Sequence, residues 1–185
     1  ELSHIFSSPG GLYEPDADRK DYWRYARALW AAGVRPGHVV HNTFSYHLTP
    51  AAMLVESGCR AIGCPVIPGG VGNTEIQIQL AADLKPDFFI GTPSFLRIIL
   101  TMAKELGHDL SNLKHGLVGA EALPPSLRQE LADLGVDVLQ GYGTADLGSV
   151  AYESKALDGM IIDEGVIVEI VEPGSGAPVA MGEVG

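Results

Sequence analysis

The chain has 185 residues, with 12 Lys or Arg against 23 Asp or Glu, a formal net charge of −11. That balance argues against nucleic acid or an anionic membrane surface as partner, because both are held by clustered Lys and Arg. Hydrophobic residues make up 46% and charged residues 19%, a globular composition, and no apolar run is long enough to span a membrane or reads as a signal peptide.

The first helical pattern runs from Asp18 to Ala32, with Tyr22, Tyr25, Ala26, Leu29 and Trp30 near helical spacing and Gly33 closing it. A buried strand follows at Val39-Val40-His41-Asn42-Thr43-Phe44, then a short apolar helix from Thr49 to Ser57 that ends at Gly58. Pro65-Val66-Ile67-Pro68 is the next strand. Asn73-Thr74-Glu75 can cap a helix reaching Leu84, stopped by Pro86. Phe88-Phe89-Ile90-Gly91 is a strand, and Thr92-Pro93-Ser94 begins a helix that ends near Gly107. Gly116-Leu117-Val118-Gly119 and Val136-Asp137-Val138-Leu139 are strands on either side of a helix from Pro125 to Leu134, closed by Gly135.

These short β-branched or aromatic runs recur about every 20 to 30 residues, the length of one strand-plus-crossover unit. After Gly148 the character changes. Ser149 to Glu153, Gly159 to Asp163 and Val166 to Val171 read as antiparallel strands, joined by turns such as Pro173-Gly174-Ser175-Gly176. The fold class is therefore α/β: a mostly parallel sheet flanked by helices over residues 1–148, followed by the start of a small β-rich subdomain over 149–185. A first residue Glu1 and an end inside a strand-rich stretch predict a piece of a longer protein.

In open α/β sheets ligands bind beyond the carboxyl ends of the strands. Four segments fall there: Phe44-Ser45-Tyr46-His47, Gly69-Gly70-Val71-Gly72-Asn73-Thr74, Gly119-Ala120-Glu121, and Gln140-Gly141-Tyr142-Gly143-Thr144-Ala145-Asp146. The Gly-rich turn reads either as a plain tight turn or as one lining a ligand. It has neither the Lys of a P-loop nor G-x-G-x-x-G spacing. In the last segment two glycines bracket an aromatic ring on which a flat group can stack. Asp146 offers a carboxylate to Mg²⁺, which prefers a few carboxylates plus substrate phosphates; the alternative is a loop whose Asp caps the next element.

Of six histidines, His38, His41 and His47 fall in one region, but His38 and His41 lie on opposite strand faces by parity, so core or surface histidines are expected rather than a Zn²⁺ site. Cys59 and Cys64 form a C-x₄-C pair without nearby metal partners, read as reduced thiols of a cytoplasmic protein, with a disulfide as the other option. No Ser or Cys stands in a G-x-S-x-G setting, so nucleophilic hydrolysis has no support.

Several stretches together resemble the adenylate-forming acyl-CoA synthetases, and within them the phenylacetate–CoA ligase branch. They are Ala32 to Asn42, Val66 to Gly70 with Asn73-Thr74-Glu75, Gln77-Ile78-Gln79-Leu80, Gly91-Thr92-Pro93-Ser94, Gly119-Ala120-Glu121, Tyr142-Gly143 and Val150-Ala151-Tyr152-Glu153. Their order is that of the family's large N-terminal domain over essentially the whole chain. The resemblance implies activation of a carboxylic acid with Mg-ATP to an acyl-adenylate, followed by transfer to coenzyme A. It implies that Gly119, Ala120 and Glu121 line the adenine and aryl pockets, with Gly141, Tyr142 and Gly143 beside the nucleotide and Tyr142 stacked on adenine. Asp146, with Thr144, would stand at the Mg²⁺-binding catalytic position, and Phe44, Tyr46 and Pro93 would shape the acid pocket. Dimerisation is common in this branch, so a homodimer is implied too.

The sequence departs from the family pattern at three places, one of them Asp146, which stands where the family usually has a Glu, one methylene longer. Where a Ser/Thr/Gly-rich phosphate loop ending in Lys is expected, it reads Ser7-Ser8-Pro9-Gly10-Gly11-Leu12-Tyr13-Glu14-Pro15. The hydroxyl residue expected just before the Mg²⁺ ligand is Ala145, with Thr144 one place early. These departures leave two readings open: an acid–CoA ligase with an altered phosphate loop, or a non-catalytic relative that binds an acyl or nucleotide ligand. By the same resemblance this piece alone lacks the parts that complete adenylation.

Overall fold

The computed structural model describes residues 2–8 and 10–185. It opens with an antiparallel hairpin of β1 (Leu2–Ser8) and β2 (Leu12–Ala17), in which Ser8 pairs with Leu12. The strands of this hairpin were not foreseen. Its turn uses Gly10 and Gly11 at φ 97° and 75°, a backbone region costly for residues with a Cβ; Pro9, within the expected phosphate-loop segment, lies outside the described residues.

α1 (Tyr25–Ala32), β3 (Val40–Asn42), α2 (Ala51–Ile62), β4 (Val66–Pro68), α3 (Thr74–Leu84), β5 (Phe88–Gly91), α4 (Pro93–Leu106), β6 (His115–Val118), α5 (Pro125–Asp133) and β7 (Asp137–Thr144) then alternate. Two more strands, β8 (Gly148–Glu153) and β9 (Met160–Ile162), complete a seven-stranded sheet of order β4-β3-β5-β6-β7-β8-β9. Pairing is parallel from β4 through β7 and antiparallel between β7, β8 and β9.

Strand alternation builds a core on each face. Phe88, Ile90 and Leu117 point to one side, where they meet Leu29 of α1 and Val55 of α2. Phe89 and Val118 point to the other, against Ile78 of α3, Leu96 and Ile99 of α4 and Leu131 of α5. Successive side chains of one strand therefore serve opposite layers, which is why these runs are apolar throughout.

Several boundaries differ from the sequence expectation: β7 runs on past Leu139 to Thr144 by pairing with β8, and three further differences have local reasons. The first helix starts at Tyr25 rather than Asp18, because Asp21 and Arg24 adopt φ values of 50° and 59° and the Asp21 carboxylate accepts from Ala26 N at 3.1 Å, closing the helix start. The second helix does not stop at Gly58 but runs on to Ile62, capped by Gly63 at φ 94°. Gly58 instead marks the crossing with α1: a Cβ there would lie 2.9 Å from Leu29 Cδ1 and 3.0 Å from Ala26 N. Residues 166–171 form no strand; Ile167 and Ile170 stay exposed, and the backbone makes only a bridge between Val171 and Pro178.

Candidate functional site

β3 is followed in sequence by β4 on one side of it, whereas β5, β6 and β7 continue on the other. The strand order thus reverses between β3 and β5, and the loops leaving these neighbours diverge to open a crevice at their carboxyl ends. Two adjoining cavities lie there.

The first, of about 470 Å³, is lined by Thr43 and Phe44 after β3, Val71 and Gly72 after β4, Phe95 and Ile98 of α4, and Glu121 after β6. Its walls are largely apolar. The second, of about 180 Å³, is lined by Gly119 and Ala120 after β6, Gly143, Thr144 and Ala145 at the end of β7, Tyr25 of α1, and Ser8 at the hairpin. Phe44, Thr49 and Ala51 belong to both. The hairpin reaches this place because Ser7 N donates to Leu48 O at 2.9 Å. A larger cavity, about 750 Å³, runs along β6 and β7 beside α5, from His115 and Asp137 at their amino ends to Leu123 and Gln140 near the carboxyl end of β6.

The small residues are spatial requirements. A Cβ on Gly119 would stand 2.9 Å from Gly141 O, and one on Gly143 would stand 2.6 Å from Gly148 O. Ala120 adopts φ 63°, a left-handed conformation that costs a non-glycine residue on the order of 1 kcal/mol and clusters at ligand sites.

Among the expected nucleotide residues, Gly119, Ala120 and Gly143 come together in the second cavity with Thr144 of the expected catalytic pair, while Glu121 lines the first. Gly141 and Tyr142 lie on the outer half of β7, with the Tyr142 ring 58% exposed. Thr144 donates its hydroxyl to Asp146 Oδ1 at 2.5 Å and accepts from Leu147 N at 3.1 Å, fixing a tight turn. That hydrogen bond, helped by the backbone N–H groups of Asp146 and Leu147, holds the Asp146 carboxyl below its usual range.

Of the expected acid-pocket residues, Phe44 lines both cavities. Tyr46 stands behind the lining: it donates to Glu56 Oε1 at 2.8 Å and accepts from Asn42 Nδ2 at 3.0 Å. Burial first, and the Glu56 contact second, push its phenol pKa upward. Pro93 is buried at the first turn of α4, whose start is capped by Thr92 Oγ1 accepting from Phe95 N at 3.3 Å. Its neighbours Thr92 and Ser94 line the first cavity.

Sequence reasoning missed Ser8, Tyr25, Thr49 and Ile98, whereas Val71 and Gly72 belong to the Gly-rich turn it had marked as one that could line a ligand. The Gly10-Gly11 pair between two short runs was a hairpin signal that could have placed Ser8. No local signal marks Tyr25 or Ile98, which face the crevice only through helix packing.

Among the described residues, no three His, Cys, Asp or Glu side chains cluster to hold a metal. No Lys or Arg among the described residues lines either cavity. Among the described residues, no helix is long and apolar enough to cross a membrane.

The profile of the AMP-binding enzyme family matches residues 44–185. The phenylacetate–coenzyme A ligase of Escherichia coli (strain K12) is 36% identical over 168 residues, covering 86% of this chain and 38% of that protein. The enzyme of the same name from Aromatoleum evansii is 34% identical over 167 residues, with the same shares. The chain thus spans about two fifths of the length of these relatives. A 2-hydroxyisobutyryl-CoA ligase solved with 2-HIB-AMP and CoA in an open conformation matches with a TM-score of 0.89 at 22% identity, over 99% of this chain and 43% of that one. An anthranilate CoA ligase solved with anthranoyl-AMP matches with a TM-score of 0.71 at 23% identity, over 98% of this chain and 37% of that one. These structures share the parallel α/β fold, and the profile match over most of the sequence makes this chain a member of the AMP-binding enzyme family.

Proposed function

We propose that this chain carries the acid and nucleotide pockets of an ATP-dependent acid–CoA ligase that activates an aryl or arylacetic acid as its adenylate and transfers it to coenzyme A. The observation that carries this reading is the pairing of an apolar slot with a cradle of small residues, the two sharing Phe44 and Thr49. An acyl-adenylate has the same two parts: an apolar acid joined through phosphate and ribose to a flat base. Phe44, Phe95 and Ile98 suit an aromatic acid. Gly119, Ala120 and Gly143 allow a nucleotide to approach the backbone, and the exposed Tyr142 ring offers a stacking face.

Asp146 would hold Mg²⁺. A single exposed carboxylate, kept ionised by Thr144, fits an ion that takes most of its oxygens from water and substrate phosphates. When bound there, the ion would offset negative charge on the phosphate attacked by the acid. The chain's own contribution is to orient the acid in the slot and exclude water around it. In the same reading the strand-like runs after Gly148 support a β-rich subdomain beginning over residues 149–185, the reduced pair Cys59 and Cys64 supports a cytoplasmic protein, and the sequence resemblance supports a homodimer.

The absence of Lys and Arg from both cavity linings favours a second reading, a relative that binds an acyl-adenylate or nucleotide without turning over ATP. Calorimetric titration with a non-hydrolysable phenylacetyl-adenylate analogue, AMP and phenylacetate tests the site itself. Micromolar binding of the analogue, weakened by Tyr142→Ala, is expected. No binding to the folded chain overturns the placement of both pockets. An Asp146→Asn change that leaves Mg-ATP affinity untouched would favour the second reading.

A further inference from the structure

The last two residues of β3, His41 and Asn42, and Thr43 just after it are three consecutive buried polar residues. Polar groups this deep need partners: Thr43 Oγ1 donates to Ile90 O of β5, while Asn42 and His41 reach toward the segments after β3 and β4. Asn42 serves the loop after β3: its Nδ2 donates to Tyr46 Oη and to Ala52 O, and its Oδ1 accepts from Phe44 N. His41 turns the other way, with Nε2 2.9 Å from Oε1 of the buried Gln77 on α3.

Gln77 Nε2 in turn donates to Gly70 O at 3.0 Å and Gly72 O at 2.6 Å. Two carbonyl partners identify this atom as the amide nitrogen, so Oε1 is the acceptor and His41 Nε2 carries the hydrogen. Gly69 passes so near both side chains that a Cβ would overlap Gln77 Oε1 and lie 2.7 Å from His41 Nε2. From the opposite side Asn42 O accepts from Gly69 N at 2.9 Å and Gly70 N at 3.1 Å.

The Gly-rich turn is thus gripped between the end of β3 and the first turns of α3. Left alone it would be loose, since Gly70, Gly72 and Asn73 all hold positive φ and form no regular structure. Val71 and Gly72 at its tip form one wall of the apolar cavity, and Phe44, Phe95 and Ile98 supply the others.

We propose that His41 and Gln77 are positioning residues that set the width of this cavity and so select the acid. The inference rests on the reading of the apolar cavity as the acid pocket. Neither side chain touches the acid; both act through the carbonyls of Gly70 and Gly72. Replacing His41 by Leu leaves Gln77 Oε1 buried without a donor, and the amide reorients at the expense of the turn. His41→Gln keeps an N–H donor at a similar reach.

The test compares the phenylacetyl-adenylate analogue, the acetyl-adenylate analogue and AMP on wild type, His41→Leu, His41→Gln and Gln77→Leu, with thermal melts to establish folding. The preference for the phenylacetyl over the acetyl analogue should fall about tenfold in both Leu variants, while AMP affinity stays within about twofold. His41→Gln should retain most of the preference. If a Leu variant fails to fold, Gln77→Asn, which keeps the amide but shortens it, should lose part of the preference by the same measure. An unchanged preference in a folded Leu or Asn variant overturns the clamp, as does an equal loss for all three ligands. If none of the three binds wild type, the acid-pocket reading itself falls, and the clamp with it.

Discussion

Arg24 Nε donates to Asp163 Oδ1 at 2.9 Å across 139 residues of sequence. The Asp163 side chain is fully buried and that of Arg24 is 34% exposed. The same guanidinium donates through Nη2 to Leu147 O at 2.7 Å and Ser149 O at 3.3 Å. One side chain therefore joins the start of α1 to the turn beyond Asp146 and to the segment after β9.

Removing Arg24 strands a buried carboxylate, one of whose oxygens, Oδ2, already lacks a partner among the described residues. Arg24→Ala should lower unfolding stability by about 3 kcal/mol, measured by urea denaturation. Arg24→Met combined with Asp163→Leu should recover much of that loss, since it removes the charge as well as its partner. Equal losses in the single and double variants would show that packing, not charge, governs this contact.

Gly119→Ala should cost about 1–3 kcal/mol, because the added methyl meets a backbone carbonyl 2.9 Å away that no side-chain rotation can clear. Gly63→Ala offers a contrast: it meets nothing within 4 Å but must hold φ 94°. Adenylate-analogue affinity should fall in the first variant only. A Gly119→Ala protein with wild-type affinity would mean that this strand end does not touch the ligand.

Thr144→Val removes the hydrogen bond that does most to hold the Asp146 carboxyl below its ordinary value. The Asp146 carboxyl should then titrate at higher pH than in wild type, as followed by carboxyl carbon chemical shift. The sign follows from linkage: a depressed carboxyl contributes stability above the ordinary carboxylate pKa, and that contribution is lost as pH falls through the folded value. An unmoved midpoint would assign the shift to the backbone N–H groups instead.

His41 is held below its ordinary pKa of 6.5, by burial first and against the Gln77 contact, which acts the other way. The unfolded chain therefore takes up a proton at this position before the native protein does. Stability from this group is complete above pH 6.5 and falls as pH drops toward the folded value, by at most about 1.4 kcal/mol per pH unit. His41→Gln should flatten that slope relative to wild type in denaturation series between pH 7 and 5. Parallel slopes would mean that His41 is not buried neutral.

Cys59 and Cys64 are both buried and free. Burial, chiefly, pushes the Cys59 thiol up to about 12 and raises Cys64 as well. Since the thiolate is the reactive form, neither should react with a thiol reagent at pH 8 until the protein unfolds. Rapid labelling of Cys59 in the native protein would contradict the packing of α2 on α1.

The parallel sheet was legible because its strands need apolar residues on both faces, a pattern that Phe88-Phe89-Ile90 and Gly116-Leu117-Val118 display without help from distant contacts. What was not legible depends on partners far away in sequence. Gly58 looks like a stop locally and proves to be a crossing point, because Leu29 lies over it. The chain from Ser7 to Pro15 reads as a loop until Ser8 is seen opposite Leu12. For the candidate site, the segments after the strands could be named from sequence. Which of their side chains face the crevice could not: Phe44 turns in, whereas Tyr46, two residues on, turns to Glu56.

β7 is shared between two neighbours along its length. Residues Asp137 to Gln140 are zipped to β6, whereas Gly141 to Thr144 are zipped to β8, with the register shifting between Tyr142 and Gly143. The strand therefore has two fates in a partial opening. If β8 and β9 detach, the inner half stays with the parallel core and the outer half is released with them. Amide exchange at Tyr142 and Thr144 should then follow that of Val150 and Tyr152 rather than that of Val138, although all lie in one continuous sheet. The arm that ends in Asp146 would come and go as a unit with the C-terminal strands, a local melting that spares the slot between Phe44 and Ile98.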